Sequence, residues 1–504
     1  MPNWTPQQEA VFSAVRDTKA NVCVEAVAGA GKSTTIIEAS KSSPGANGLV
    51  CFNKHIADEL QAKLNGAASA CTLHSLGFRA CQQKWGSELD QNKARDLLRA
   101  QQPKWFWKGR NDAWRPGDEA KAILDLARLC KLTLTDEACI DDLTDLADHH
   151  GIDCPTSCFY AVAELVQAAA ARTDLVDFDD MIWLPVRHQI KAGSFDLLFV
   201  DEVQDLNRCQ QQLARSAGKR LVIVGDSRQA IYGFSGSDSE ALATLRRQLD
   251  QSTPGYQGNC VDAPLTVTFR CPVAHVDLAQ RIVPDIQSAD GAIDGLVYCL
   301  SPDSLPRNVM VGDLVISRCN APLVELAYQL LRQGVPAVMR GRDIGKGLTD
   351  LVNQLKPADC NDLGIKLEDY RERETARLDR RNAAESQHQA LNDKVDCLEQ
   401  LATQCSTLDG LRGFVERLFT DDQPTGNGKI VLSSIHRAKG LEANRVIIVA
   451  PEKLPLIRKD SQPWEKVQEF NLAYIAATRA KRELVFAGDV PDVFGRVRCS
   501  VPAF

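Results

Sequence analysis

The sequence predicts an α/β protein of two cores, each a parallel sheet carrying a mainly helical insertion. Three observations predict it. Short apolar runs at 21–27, 49–52, 197–200 and 221–224 end in polar residues, the pattern of buried parallel strands with working C-terminal ends. A second set follows at 265–268, 311–317, 429–433 and 445–449. The 504 residues are enough for several domains, and no repeat or Gly/Ser- or Pro-rich linker divides them.

Composition narrows the function classes. Hydrophobic residues at 44% and charged residues at 25% suit globular cores, not a disordered chain. No apolar run reaches the ~18 residues of a membrane helix. The N-terminus lacks the basic and apolar regions of a signal peptide, so a cytoplasmic or nucleoid location is expected. Cys23, Cys51, Cys71, Cys81 and Cys209 lie singly in apolar segments, which reads as buried thiols and not a disulfide scaffold. The net charge of −7 excludes bulk positive charge as the attraction for a polyanion, so any nucleic-acid site must be a local groove.

The elements are taken in order. The run at 21–27 feeds a Gly/Ala turn and then a helix at 33–40, so Ala28, Gly29, Ala30, Gly31, Lys32, Ser33 and Thr34 form a phosphate-binding turn at a helix N-terminus. Lys32 is placed to reach the β/γ-phosphates and Ser33 to hold Mg²⁺, with Ala26 standing where the usual pattern has its first glycine. Residues 88–172 read as helical and strand-poor, an insertion. The strand at 197–200 delivers Asp201 to the metal beside Ser33 and Glu202 to a water for attack on the γ-phosphate. The strand at 221–224 leads into Gly225-Asp226-Ser227-Arg228-Gln229-Ala230-Ile231-Tyr232-Gly233-Phe234.

In motif order, nearly the whole chain resembles superfamily 1 DNA helicases of the UvrD/Rep/PcrA family. Phe52-Asn53-Lys54 and Thr72-Leu73-His74-Ser75-Leu76 are most similar to the F-box DNA helicase branch, although no F-box is present. The resemblance implies two RecA-like P-loop NTPase domains with ATP and Mg²⁺ between them. It divides the chain into a first core at 1–87 and 172–262 with an insertion at 88–171. The second core is 263–345 and 427–504, with a short insertion at 346–426.

The resemblance also assigns roles. Gln7 matches an adenine-reading glutamine, and Gln229 one that senses the γ-phosphate and couples it to DNA. Phe269 and Arg270 match an aromatic that stacks on adenine and an arginine on phosphate; Phe269 stands where the family commonly has Tyr. Arg479 matches the arginine finger, for which a permanent charge and a forked donor set are suited. In the segment 434–442, Gly440 lies at the nucleotide, Glu442 accepts a ribose hydroxyl and His436 touches DNA. Phe52, Tyr232 and Phe234 match base-stacking positions, and Asn53, Lys54, Thr72 and His74 match backbone contacts. Phe178-Asp179-Asp180 resembles an element that positions the DNA path.

The implied activity is ATP-driven 3′→5′ movement on single-stranded DNA with strand separation at single-strand/duplex junctions. Because the second insertion is short, a motor that strips or loads proteins without efficient unwinding is the second reading, and a partner-activated, nucleotide-gated binding protein the third. The resemblance is compatible with repair, recombination, plasmid or phage replication and phage defence. A monomer is expected, with protein partners reached through the insertions.

Three further signals carry less. Trp105-Phe106-Trp107-Lys108-Gly109-Arg110 with Trp114-Arg115 interleaves aromatic and basic residues, for which packing of the insertion is the expected use. His149, His150, Cys154 and Cys158 have metal-ligand types at an atypical spacing and read as structural. The charged stretch 368–396 reads as a solvated helical hairpin.

Overall fold

The structure is a computed structural model that describes residues 4–51, 54–64, 66–108, 114–231, 240–251, 259–380, 385–420, 428–458 and 461–495. Two compact units divide it: residues 1–26 with 31–265, and residues 27–30 with 266–504.

The first unit is built on six strands: β1 (Asn21–Glu25), β2 (Asn47–Cys51), β3 (Ser69–Thr72), β4 (Leu197–Val200), β5 (Leu221–Gly225) and β6 (Cys260–Asp262). They pair in the order β6-β1-β5-β4-β2-β3, all parallel. β2, β4 and β5 are buried at every position, which explains their continuous apolar sequences. With all strands parallel, the residues following β1, β4 and β5 emerge at one edge of the sheet.

The insertion of this unit leaves and returns through a two-residue parallel pair, Glu88–Leu89 with Leu175–Val176. Between them lie the helices Lys93–Gln101, Asp118–Thr133, Ile140–His150 and Thr156–Ala171 and a small antiparallel ribbon, Phe106–Lys108 with Trp114–Pro116. A buried charge cluster ties the insertion to the core helix Phe178–Arg187. Asp180 accepts from Lys93 Nζ at 2.6 Å and from Lys131 Nζ at 2.8 Å, and all three side chains are at most 3% exposed. Lys131 also lies 5.1 Å over the Trp183 ring.

The second unit holds seven strands: β7 (Leu296–Leu300), β8 (Leu314–Ser317), β9 (Ala337–Arg340), β10 (Phe419–Thr420), β11 (Ile430–Ser434), β12 (Ala443–Val449) and β13 (Ala480–Ala487). Their order is β7-β13-β12-β8-β11-β9-β10, again parallel throughout. The expected charged hairpin is present as the helices Cys360–Arg380 and Glu385–Gln404, and it is more than solvated surface. Leu363, Leu367, Val395, Leu398 and Leu401 join the core of the unit. Asp393 accepts from the backbone N–H of Asn320 and Ala321 and from Asn320 Nδ2, so the hairpin caps the helix Ala321–Arg332.

Two strand expectations change. The 265–268 run yields only the two-residue strand Val267–Thr268, paired with Gln287–Ser288, because Leu265 is still held by the first unit: its N–H donates to Glu25 O. The 311–317 strand begins at Leu314, since Gly312 has φ +96° and the Asp313 carboxylate folds back to accept from Met310 N–H. Cys299 is disulfide-bonded, while the five singled-out thiols are free and buried. Among the described residues no helix is long and apolar enough to cross a membrane.

Candidate functional site

The sheet edge of the first unit gathers the nucleotide candidates. β1 ends in the Gly/Ala turn, and the helix Lys32–Lys41 starts from Gly31 at φ +77°, a left-handed conformation that a side chain would strain. Gly31 supplies no side-chain cap at that helix start, whose N–H groups and dipole favour an anion. Ser33 and Thr34 lie on the exposed first turn.

β4 delivers a buried Asp201, and Glu202 follows with φ +52°. A left-handed non-glycine residue at a strand end is strain held in place by its surroundings. Here Glu202 Oε2 lies 4.0 Å from Lys32 Nζ and accepts from Gln204 Nε2 at 2.5 Å. Gln204 Oε1 in turn accepts from Asp226 N–H at 3.0 Å, and Asp226 Oδ2 accepts from Gln229 Nε2 at 2.6 Å. Lys32, Glu202, Gln204, Asp226 and Gln229 therefore form one polar chain across β4 and β5. Gly225 is required inside it, because a Cβ there would stand 2.5 Å from Gln204 Oε1.

Gln204 and Asp226 were not among the residues assigned from sequence. Asp226 is 3% exposed, and burial raises its pKa while Lys32 opposes the shift. The available signal was the strand end itself: a carboxylate after β5 stands at the same edge as one after β4. Gln7 is half-buried, and the neighbouring Gln8 is the residue tied to the phosphate turn's helix, donating from Nε2 to Thr35 Oγ1 at 3.1 Å.

Burial, followed by repulsion from Glu202, pushes the Asp201 carboxyl up from 3.8 to about 7, while Lys32 opposes the shift. Because the folded protein then holds the proton more tightly than the unfolded chain, this group lowers the stability of the metal-free fold progressively between those two pH values. A buried carboxylate disfavoured as an anion is an oxygen ligand whose chemistry fits a hard divalent metal. The metal-free thermal midpoint is expected to fall across that interval more in wild type than in Asp201→Asn. Stabilisation by added Mg²⁺ should grow with pH up to about 7; a pH-independent Mg²⁺ effect would remove Asp201 from the metal site.

The second unit gathers another set. Arg270 Nε donates to Glu442 Oε2 at 2.6 Å, and Lys481 Nζ approaches Glu442 Oε1 at 2.5 Å. Burial opposes ionisation of Glu442, but Lys481 and Arg270 together hold its pKa below the usual value. Phe269 is 52% exposed, leaving a ring face for stacking, and its N–H donates to Gly29 O. Ala28 N–H donates to Tyr474 Oη at 2.9 Å. Arg479 is buried and folded onto the end of its own helix, donating to Ile475 O and Thr478 Oγ1. Gly440 has φ +84° and open space around it.

Of the DNA candidates, Phe52, Asn53, Tyr232 and Phe234 lie outside the described residues. Lys54 is exposed. Thr72 caps the helix Leu73–Trp85 by accepting from Ser75 N–H, and His74 lies 6.5 Å edge-to-face from Phe178, which is 50% exposed. Phe178 thus adds an aromatic to this surface. Burial, with Arg318 and Arg437, pushes the His436 ring down to about 3. His149 and His150 meet edge-to-face at 4.9 Å, and no group of three or more His, Cys, Asp or Glu among the described residues is arranged to hold a metal.

Residues 4–250 match the UvrD/REP helicase N-terminal domain, and residues 348–488 match the UvrD-like helicase C-terminal domain. ATP-dependent DNA helicase UvrD2 of Mycobacterium tuberculosis is 24% identical over 95% of this chain and 78% of its own length. F-box DNA helicase protein 1 of Schizosaccharomyces pombe is 25% identical over 62% of this chain, and the match spans 36% of that protein. ATP-dependent DNA helicase PcrA of Staphylococcus aureus is 31% identical over 17% of this chain and 13% of its own length. With both domain models matched in order along two parallel-sheet units, the chain belongs to the UvrD/REP helicase family.

Proposed function

We propose that the protein is an ATP-dependent DNA helicase that moves 3′→5′ on single-stranded DNA and couples hydrolysis to strand separation at junctions. The observation that carries this reading is the polar chain from Lys32 through Glu202, Gln204 and Asp226 to Gln229. It supplies a cation for phosphate oxygens, a carboxylate to orient a water and a glutamine hydrogen-bonded into the same network. Ser33 and Asp201 would hold Mg²⁺, which neutralises phosphate charge when bound. In the second unit, Phe269 would offer an aromatic face for adenine and Arg270 a cation for phosphate, while the arginine-finger role of Arg479 would require it to leave its bonds to Ile475 O and Thr478 Oγ1. Phe178, His74, Thr72 and Lys54 offer an aromatic and polar surface to the strand.

Duplexes with a 3′ or a 5′ single-stranded tail test the reading directly. ATP hydrolysis should rise with single-stranded DNA, and unwinding should require the 3′ tail; a 5′ requirement would reject the polarity. The second reading, a motor that displaces or loads proteins, is favoured by the hairpin pinned through Asp393, which leaves the second unit a small insertion built into its core. Stimulated hydrolysis with protein displacement but no unwinding would select it.

A further inference from the structure

The ribbon Phe106–Lys108 with Trp114–Pro116 separates its aromatic residues by face. Phe106 is 6% exposed and lies in the core of the unit, and Trp105 and Trp114 pack against that core. Trp107 points the other way and is 51% exposed. All seven tryptophans lie in the described residues, and Trp107 is the exposed one. Packing of the insertion therefore accounts for three of the four aromatics and leaves Trp107 unexplained.

Its surroundings are cationic. Trp107 is paired directly across the ribbon with the exposed Arg115. Lys104 Nζ lies 5.0 Å from the Trp105 ring, and Lys108 Nζ and Arg99 Cζ lie 5.8 and 5.9 Å from the Trp114 ring. These contacts fix lysine and arginine heads around the ribbon in cation–π geometry. In sequence, 99–117 holds five basic residues and one acid, Asp112, within a chain of net charge −7. Asp118 and Glu119 follow at the start of the next helix and bound the basic patch.

An exposed indole beside Arg115, on a ribbon whose packed tryptophans carry Lys104, Lys108 and Arg99, is a combination suited to single strands, with the aromatic face taking an unpaired base and the cations its phosphates. We propose that this ribbon is a second contact for single-stranded DNA, with a base stacked on Trp107 and the backbone held by Lys104, Lys108 and Arg115. The proposal rests on the DNA-motor reading and adds to it a site in the insertion. Paired bases offer no free face to Trp107, so the occupant is single-stranded and not duplex.

The test uses the full chain and oligothymidylates of increasing length, with blunt duplex as control. Trp107→Ala should weaken binding of long oligomers by roughly 5- to 150-fold, the worth of one base stack, and Trp107→Phe should restore most of it. Arg115→Ala should reduce the salt dependence of that binding. ATP turnover at saturating DNA should be unchanged, because the ribbon lies outside the hydrolytic residues. Wild-type affinity in both Trp107→Ala and Arg115→Ala would overturn the proposal, as would a loss confined to duplex. If the wild-type chain itself binds no single-stranded DNA, the DNA-motor reading fails first and takes the ribbon with it.

Discussion

Lys32→Ala is expected to lower DNA-stimulated ATP turnover by roughly 10²- to 10³-fold, the usual cost of removing one preorganised charge-stabilising donor. Lys32 begins a helix whose N-cap is Gly31, so ammonium and helix N-terminus lie together where the dipole favours an anion. Its Nζ stands 4.0 Å from Glu202 Oε2, at 13% and 29% side-chain exposure. Alanine therefore removes both the charge that meets the phosphates and the counter-charge that orients Glu202. DNA binding should persist, since Lys54, Thr72, His74 and Phe178 lie on other elements. Steady-state hydrolysis with and without an oligonucleotide, alongside DNA affinity by fluorescence anisotropy, checks both halves. Unchanged turnover would remove Lys32 from the reaction.

The legible parts of the chain were those where one physical demand acts alone. β4 and β5 are buried on both faces, so Leu197–Val200 and Leu221–Gly225 announce themselves as apolar runs, and the polar residue after each run is a site candidate. The Gly/Ala turn is legible because few residue types tolerate a left-handed helix start. β13 was missed because Lys481, Arg482 and Glu483 interrupt its pattern; the strand is exposed at Lys481 and Arg482 and buried from Leu484 onward. Gln204 was missed because its role depends on contact with Asp226 across the sheet, and spacing alone carries no such information. The split of the tryptophan ribbon into a packed face and an exposed face follows from its register against Trp114–Pro116, which sequence does not display.

The same limit hid the charge cluster under the first insertion, whose members are far apart in sequence: Lys93, Lys131 and Asp180. Asp180 is shared by two lysines, and Lys93 also donates to Ala169 O at 2.9 Å. Burial alone would drive the proton off Lys131, but Asp180 and Asp177 outweigh it and hold its pKa above the ordinary value. Asp180→Ala leaves the buried Lys93 ammonium without its carboxylate and Lys131 with Asp177 alone at 3.8 Å, and is expected to cost about 3–5 kcal/mol. The loss should appear as an earlier first transition in urea and as faster amide exchange in the helices Lys93–Gln101 and Asp118–Thr133. It should also weaken DNA stimulation of ATPase, because Asp180 sits in the first turn of the helix that carries Phe178 beside His74. Replacing the three together, Lys93→Met, Asp180→Leu and Lys131→Met, removes these three charges and their desolvation in one step and leaves Asp177 accepting from the backbone N–H at 180. That variant should recover most of the stability, since apolar substitutes for a buried ionic group are often neutral or better. If Asp180→Ala alone is as stable as wild type, the cluster does not hold the insertion to its core, and the apolar contacts of Leu98, Ile123 and Leu126 with the surrounding core suffice.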